Sequence, residues 1–431
     1  MINHKVFCAL PWGSIHFRPT GDFMSCCVAE DKSFITDTRT KTLDELYNSE
    51  QLKQLRLDLL AGNERPDVCT HCYAKDAANV TSNRTTSLQY FAHDIKKFIE
   101  STDNTGRSDI NNIKYWDIRP SNLCNIKCRT CNENFSSSWA AENNHLDKIK
   151  LKSIDKDILE DIYGNVKHIY FAGGETLLMP EHFALLTKLI ENNQSKKVEI
   201  SYTSNLTKLD YNNHNLIELW KNFKEVTINV SLDGVENKFN YIRHGVDWEI
   251  VKANILQLKQ SVGQFSHMQY NFVTTVSIFN ILNISETHRY LWENNLMNNI
   301  NDINVDLVMY PVYFAFINIL PNNLKLVAIE RLQNHITWLT DNKAWQSTIN
   351  KFLSIVKFIN NDLEDNENQA LNRTKRNYLD GLKIQFVHIV KKIDNRRNES
   401  FVDTFPELAE MFNYYENNFN FDDPNIDYVE D

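Results

Sequence analysis

Three cysteines, Cys124, Cys128 and Cys131, lie within eight positions in the stretch DIRPSNLCNIKCRTCNEN, residues 117–134. Their spacing is C-x3-C-x2-C, with no fourth cysteine nearby in the sequence. Clustered thiolates usually hold a metal, and metal sites in proteins usually have four ligands. The triplet is therefore compatible with an incomplete zinc site, or with a [4Fe–4S] cluster that has three protein ligands and one iron open to a small molecule.

A second set of thiols precedes the triplet. Cys8 and Cys26 are separated by seventeen residues, and Cys69 and Cys72 form a C-x2-C pair. All eight cysteines fall in the first third of the chain, whereas cysteines that only fill cores would be scattered, so two dedicated metal sites are predicted. The remaining thiol, Cys27, would point opposite to Cys26 on a strand. It is either a buried inert thiol or an exchange partner for Cys26 in ligation.

The elements that would position the triplet lie between residues 113 and 312. Six apolar strand patterns alternate there with amphipathic helical ones: IKYWDI (113–118), KHIYFA (167–172), KVEISYT (197–203), EVTINVSL (225–232), QYNFVTTVSIF (269–279) and INVDLVMY (303–310). This alternation predicts parallel βα units in an α/β fold, a partial (βα)6 barrel and not a closed eight-stranded one. The triplet directly follows the first strand, at the end where parallel sheets bind ligands.

The flanking regions complete a predicted three-part organisation: residues 1–92, a small cysteine-bearing domain; 93–312, the partial barrel; and 313–431, a helical region. In the first part, SIHFRPTGDFMSCC predicts a hairpin and RPDVCTHC a tight loop. Thr42 and Glu45 fit a capping box at the start of a helix that Gly62 would end. In the last part, Leu332, Ile336 and Leu339 form a core-packing stripe, and the acidic residues 418–431 are expected to be a solvated tail.

Composition narrows the class of protein. The 431 residues carry a formal charge of −10 and a pI near 5.8. This net negative charge argues against binding of nucleic acid through a large basic surface. The chain has no apolar leader pattern at its start and no apolar run long enough to cross a membrane. We therefore expect a cytoplasmic protein, whose thiols stay reduced and available to metals.

The strand and cysteine pattern resembles the radical S-adenosylmethionine (radical SAM) superfamily over about residues 113–312. The C-x3-C-x2-C triplet matches the signature of that family, and AGGET after the second strand matches its Gly-Gly-Glu motif. SLDG ends the fourth strand and YIRHG follows it, as in many members. The resemblance implies that SAM, through its amino and carboxylate groups, occupies the iron that the three cysteines leave open.

The same resemblance and the strand-end positions suggest the residues that would bind SAM. Glycines at a strand end allow close backbone approach to the ammonium group, and a carboxylate is its charge-matched acceptor. An arginine would pair with the SAM carboxylate, and polar strand-end groups would bind the ribose hydroxyls. The predicted cofactor-binding residues are Gly173, Gly174, Glu175, Ser204, Ser231, Asp233 and Arg243. Thr130 stands where the family often has an aromatic residue, so adenine must pack elsewhere.

Residues 1–92 resemble the twitch domain, a shortened relative of the SPASM domain. This resemblance implies that Cys8, Cys26, Cys69 and Cys72 hold one auxiliary [4Fe–4S] cluster. A zinc knuckle with four cysteine ligands is the other reading of this set. The domain usually follows the barrel in that family, but here it precedes it.

Together the resemblances imply an oxidoreductase. SAM would be cleaved to a 5′-deoxyadenosyl radical, which abstracts a hydrogen atom from the substrate. The auxiliary cluster would accept an electron from the substrate radical. The substrate, a peptide, a protein side chain or a small sugar-like molecule, would thereby be oxidised or crosslinked. The electron for cleavage would come from a low-potential donor such as flavodoxin or ferredoxin. The competing interpretations are a redox-neutral epimerase or rearrangement enzyme with a structural auxiliary cluster, and a non-catalytic iron–sulfur or zinc interaction protein.

Overall fold

The computed structural model describes residues 3, 5–30, 41–77, 81–146, 166–212, 214–308, 315–367 and 372–418. Within these ranges the strands are β1 (Ser14–Phe17), β2 (Phe23–Met24), β3 (Tyr115–Ile118), β4 (His168–Phe171), β5 (Glu199–Ser204), β6 (Asp210–Tyr211), β7 (His214–Asn215), β8 (Glu225–Ser231), β9 (Met268–Val276) and β10 (Ile303–Leu307). All six strands predicted from the alternating pattern are present, as β3, β4, β5, β8, β9 and β10.

The main sheet has the order β10-β9-β8-β5-β4-β3-β1-β2. Neighbouring strands from β10 to β1 are parallel, and β2 is antiparallel to β1. The short strands β6 and β7 form a separate ribbon. The fold is therefore mixed α/β with a parallel sheet, and the predicted N-terminal hairpin is confirmed.

The N-terminal hairpin is continuous with this sheet. β1 pairs in parallel with β3, so that His16 stands opposite Asp117 and Phe17 opposite Ile118. The first ninety residues thus add strands to the sheet that carries the cysteine triplet. The predicted domain boundary at residue 92 stays a prediction, and the one at residue 312 lies outside the described residues.

The helices follow the amphipathic segments. They are α1 (Leu10–Gly13), α2 (Leu43–Tyr47), α3 (Glu50–Ala61), α4 (Pro66–Ala77), α5 (Asn83–Tyr90), α6 (Ile95–Glu100), α7 (Ser137–Glu142), α8 (Pro180–Glu191), α9 (Leu216–Trp220), α10 (Glu236–Ile242), α11 (Trp248–Gln264), α12 (Ile284–Glu293), α13 (Asn322–Asp341), α14 (Gln346–Glu367), α15 (Asn372–Arg397), α16 (Phe401–Thr404) and α17 (Ala409–Asn418). The part of the chain after the sheet is helical, as predicted. Among the described residues, no helix is long and apolar enough to span a membrane.

Two local predictions in the N-terminal region need correction. The helix after Thr42 has the predicted capping box and ends at Gly62 in the left-handed conformation, but it breaks between α2 and α3. The stretch RPDVCTHC is not a tight loop, because it forms most of α4. Pro66 is the first residue of α4, a position where the fixed φ of proline favours a helix and its missing N–H is no loss.

The core lies on one face of the sheet and between the C-terminal helices. Ile118, Phe171 and Tyr202, which are in register on β3, β4 and β5, are fully buried. The predicted C-terminal stripe is confirmed, because Leu332 and Leu339 are fully buried and Ile336 is partly buried against the core. The predicted acidic tail begins at the last described residue and otherwise lies outside the described range.

Candidate metal centres

The cysteine triplet occupies the loop after β3, at the carboxyl end of the parallel sheet. All three thiols are half-buried, and burial raises the pKa of Cys124 to about 12. The pKa of Cys131 is raised by burial and then by the charges of Cys128 and Cys124, so the three sulfurs are electrostatic neighbours. Any metal that they bind must therefore displace their protons.

Side chains around the start of α7 fix the backbone of this loop. The Ser138 hydroxyl donates to the Cys124 carbonyl at 2.7 Å, and the Trp139 indole Nε1 donates to the Cys128 carbonyl at 2.8 Å. The Ser136 hydroxyl donates to the Ile126 carbonyl at 2.8 Å. Three carbonyls of the loop are thus satisfied by a nearby element, which holds the loop in one shape.

Gly173 and Gly174 lie directly against the cysteine loop. The Gly174 N–H donates to the Ser121 carbonyl at 3.3 Å, and the next residue, Glu175, donates its N–H to the Leu123 carbonyl at 2.7 Å. A Cβ on Gly174 would stand 2.3 Å from the Leu123 carbonyl oxygen, and Gly173 has a φ of +117°. The two glycines are therefore required where the end of β4 and the loop come into contact.

Glu175 is buried and binds the end of β5. Its Oε1 accepts hydrogen bonds from the Ser204 hydroxyl at 2.9 Å and the Leu177 N–H at 3.1 Å, and its Oε2 accepts from the Asn205 N–H at 2.6 Å. Burial raises the pKa of Glu175 to about 7, although these hydrogen bonds favour the ionised form. The carboxylate ties the strand end of the Gly-Gly-Glu motif to the neighbouring strand end.

Arg243 and Asp233 form a buried ion pair beside Cys128. Arg243 Nη2 lies 2.8 Å from Asp233 Oδ2, and Arg243 Nη1 lies 3.9 Å from the Cys128 sulfur. Asp233 Oδ1 also accepts from the Thr275 N–H at 2.9 Å. Ser231, the last residue of β8, is half-buried, and among the described residues no hydrogen bond joins its side chain to this group. Six of the seven predicted cofactor-binding residues thus contact the triplet loop or the strand ends around it.

The four N-terminal cysteines are also electrostatic neighbours. Burial raises the pKa of Cys8 to about 11 and that of Cys69 to about 12, and in both cases the charge of Cys72 raises it further. The pKa of Cys26 is raised by burial and then by the charges of Cys27, Cys8 and Cys72. The segment before α1, the segment after β2 and α4 therefore place these four thiols within electrostatic range of one another.

Cys27, the neighbour of Cys26, also interacts with residues of the sheet. Its pKa is raised by burial and then by the charge of Asp117, while Arg119 lowers it. The Asn83 side-chain amide donates to its sulfur at 3.3 Å. Cys27 is therefore close both to Cys26, whose pKa its charge raises, and to the charged residues Asp117 and Arg119.

Two family models match the chain. The radical SAM superfamily model matches residues 118–276, and the model of the SPASM iron–sulfur cluster-binding domain matches residues 8–73. The chain therefore contains a radical SAM domain and a SPASM domain. Its SPASM domain precedes its radical SAM domain, as the sequence predicted.

Several solved structures are similar to this chain. One is described as native anSMEcpe with bound AdoMet; it is 20% identical, the match covers 53% of this chain and 62% of that chain, and the TM-score is 0.39. Another is Streptococcus suis SuiB bound to precursor peptide SuiA, 15% identical, with 80% and 71% coverage and a TM-score of 0.38. The chain thus spans somewhat less than two thirds of the first of these. Among curated proteins, none matches it.

A radical SAM domain uses a [4Fe–4S] cluster and SAM, and a SPASM domain holds auxiliary iron–sulfur clusters. The thiols fit both requirements in number: three on the loop of the radical SAM domain, four in the SPASM domain. Within the described ranges, no three Cys, His, Asp or Glu side chains are arranged around one point as a single metal ion requires. In a cuboidal cluster each thiolate binds a different iron, so its ligands need not converge on one point.

Sequence reasoning missed residues that contact the cysteine loop. Asn205 points its amide at the Cys124 sulfur, at 3.9 Å, and at the Asn125 side chain, at 3.2 Å. It directly follows Ser204 at the end of β5, so its strand-end position was the available signal. Trp139, which donates to the Cys128 carbonyl, and Arg129, which donates to Asp394, also hold the loop. Nothing in their local sequence distinguishes these two residues from ordinary surface or core residues.

Proposed function

We propose that the chain is a radical SAM oxidoreductase that removes hydrogen from an unactivated C–H bond of a peptide, a protein side chain or a small sugar-like molecule. The observation that carries this proposal is the attachment of the cysteine loop to the ends of β4 and β5 through Gly174 and Glu175. Metal ligands and polar strand-end groups then share one edge of the sheet. A cytoplasmic location and a low-potential electron donor such as flavodoxin or ferredoxin belong to the same proposal.

In this proposal Cys124, Cys128 and Cys131 hold the cluster that binds SAM, and Cys8, Cys26, Cys69 and Cys72 hold the auxiliary cluster. When bound, the first cluster and SAM supply a carbon-centred radical that can abstract hydrogen. The protein binds and orients the reactants and excludes water from them.

Glu175 retains capacity for the SAM ammonium. A carboxylate has about four acceptor sites, and the Ser204 hydroxyl and the N–H groups of Leu177 and Asn205 use three. An arriving ammonium would be a further partner and would favour the ionised form of a carboxyl group whose pKa is raised to about 7 by burial. Glu175 therefore serves first as the link between strand ends and then as an acceptor for the co-substrate.

Arg243 likewise retains a donor for the SAM carboxylate. Its Nη2 is paired with Asp233, but its Nε is buried without a hydrogen-bond partner among the described residues. A buried donor without a partner is costly, whereas a charge-assisted hydrogen bond to a carboxylate would satisfy it. We assign Arg243 to the carboxylate and leave Ser204, Ser231 and Asp233 as candidates for the ribose hydroxyls.

The proposed substrate surface is the polar face of the sheet. His16, Asp117 and Tyr170 are in register on β1, β3 and β4, so their side chains share one face. His16 Nδ1 lies 2.9 Å from Asp117, and Arg119 donates to the same carboxylate at 3.1 Å. Cys27 faces these residues. His16 and Asp117 are buried. Because β3 leads into the triplet loop and β1 belongs to the SPASM domain, a substrate bound to this face would lie between the two sets of cysteines.

A second candidate is a redox-neutral epimerisation or rearrangement, and the position of Cys27 beside Asp117 and Arg119 favours it. A thiol on the substrate face can give its hydrogen atom to a substrate carbon radical, forming a C–H bond and leaving a sulfur radical. One electron from the low-potential donor and one proton would restore the thiol. Oxidation and this alternative predict different products.

The mass of the product separates the two candidates. The reconstituted protein would be incubated with SAM, dithionite and either a peptide fraction or a sugar and cyclitol fraction, in D2O. Oxidation should yield a product lighter by two hydrogens, in one fraction only. A product of unchanged connectivity that has gained one solvent deuterium would instead support epimerisation, and would refute the oxidoreductase assignment.

A further inference from the structure

Arg129 belongs to the cysteine loop, yet its side chain binds the C-terminal region. Its Nη2 donates to Asp394 Oδ1 at 2.6 Å and to Glu399 Oε2 at 2.5 Å. Its Nε donates to the Tyr241 carbonyl at 3.1 Å, and the guanidinium lies 3.6 Å from the centre of the Tyr241 ring. The side chain is 1% exposed. Two carboxylates from residues far along the chain therefore hold the middle of the loop.

The two carboxylates are fixed by contacts of their own. Asp394 Oδ1 also accepts from the Tyr241 hydroxyl at 2.8 Å, and its Oδ2 accepts from the Phe401 N–H at 2.7 Å. Glu399 Oε1 lies 2.7 Å from His244 Nδ1. The end of α15, the start of α16 and the segment after α10 thus form one polar network around the guanidinium.

A second contact lies one turn further along α15. Arg397 donates from Nη2 to Glu142 Oε2 at 2.8 Å and from Nη1 to the Lys127 carbonyl at 3.1 Å. Its guanidinium lies 4.6 Å from the centre of the Trp139 ring. The indole N–H of that ring donates to the Cys128 carbonyl. The last turn of α15 therefore contacts both the loop and the helix that follows it.

Ligation of a metal by three thiols does not itself require a buried arginine among them. A buried charge is tolerated only with partners, and removing the partners strongly disfavours the buried arrangement. Without residues 394–399, Arg129 would have to turn toward water and move the backbone on which the cysteines lie. The shape of the loop is thus linked to the docking of the C-terminal region.

We propose that the end of α15 and residues 394–401 hold the cysteine loop in its ligating conformation, with Arg129 and Arg397 as positioning residues. The inference rests on the proposed ligation by the triplet. Because such coupling is reciprocal, a loaded cluster should in turn stabilise the docked C-terminal segment.

The first test compares two buried ion pairs. Arg129→Gln breaks the pair at the loop, whereas Lys325→Gln breaks the pair that joins α13 to α14, where Lys325 Nζ lies 2.6 Å from Asp362. Both variants of the full reconstituted chain should be less stable than wild type. Only Arg129→Gln should lose half or more of the triplet's irons, or change the EPR spectrum of its reduced cluster and its shift with SAM. Wild-type iron content and EPR spectrum in Arg129→Gln would overturn the proposal.

Hydrogen exchange on the wild-type chain provides a test that needs no variant. Loading iron and sulfide should slow amide exchange tenfold or more in residues 386–404, while α13 changes less. Equal exchange in the loaded and metal-free chains would refute the coupling, even if Arg129→Gln failed to fold. If the wild-type triplet binds no iron at all, the proposed function fails instead, and the two failures are thereby distinguished.

Discussion

Replacing Gly174 with Ala should show whether this glycine only permits a turn or is required for the close contact with the cysteine loop. If the glycine merely permits a turn, Ala is tolerated, because no left-handed φ is required at this position. The structure predicts otherwise, since the added Cβ would stand 2.3 Å from the Leu123 carbonyl oxygen and 2.6 Å from the Asn122 carbonyl. These are backbone atoms of the cysteine loop, which cannot move aside as a flexible side chain can.

The magnitude follows from the contacts that must be broken. Displacing the loop removes two backbone hydrogen bonds, from Gly174 to Ser121 and from Glu175 to Leu123, each worth about 1 kcal/mol. Overpacking against a rigid neighbour costs about 1–3 kcal/mol more. A total of about 3–5 kcal/mol would lower the population of the native loop conformation more than a hundredfold.

The assay is the iron content of the anaerobically reconstituted protein, with its EPR spectrum. Gly174→Ala should lose the SAM-responsive signal and keep the irons of the SPASM domain. Gly263→Ala is the matched control, because its Cβ would meet nothing within 4 Å; it should keep every iron and gain up to about 1 kcal/mol of helix stability. Wild-type iron content and EPR signal in Gly174→Ala would refute the steric reasoning.

Three further outcomes are expected. Wild-type protein should hold about eight irons. The variant Cys26→Ala should lose about half of them, the irons of the auxiliary cluster, whereas Cys27→Ala should lose none. Zinc in place of the irons of the auxiliary cluster would contradict the assignment of that cluster. Replacing Cys69 and Cys72 with Ala, in a protein that still folds by circular dichroism, should spare 5′-deoxyadenosine formation and abolish oxidised product; unchanged product formation would make the SPASM domain a scaffold. Because burial raises the pKa of Glu175 from 4.5 to about 7 in the metal-free chain, the folded state binds its proton more tightly than the unfolded state. As the pH rises from about 4.5 to 7, the free energy of unfolding of the wild type should fall by about 3 kcal/mol relative to that of Glu175→Gln. Urea midpoints that change with pH in the same way for both proteins would contradict this.

The six strands of the barrel were predictable because each has a local apolar pattern and a separate amphipathic segment after it. The helix α4 was not, since Cys69 and Cys72 lie in a short polar stretch after a proline, which is as typical of a turn as of a first helical turn. Its helical form is what places these two thiols on one face, at positions i and i+3.

The remaining features depend on contacts between distant residues. The parallel pairing of β1 with β3 joins residues about a hundred positions apart, and strand order in a sheet is not encoded in local periodicity. The contact of Arg129 with Asp394 spans 265 positions. A single arginine or aspartate has no pattern from which its partner can be inferred, so the link between the C-terminal region and the cysteine loop required the structure.

The most direct test of the account is the formation of 5′-deoxyadenosine from SAM by the anaerobically reconstituted chain with dithionite, measured by liquid chromatography and mass spectrometry. The account predicts more than one turnover for the wild type and none above background for Cys128→Ala, which should still carry the irons of the SPASM domain. Equal 5′-deoxyadenosine formation by both proteins, or none by a wild type that holds its full iron content, would contradict it.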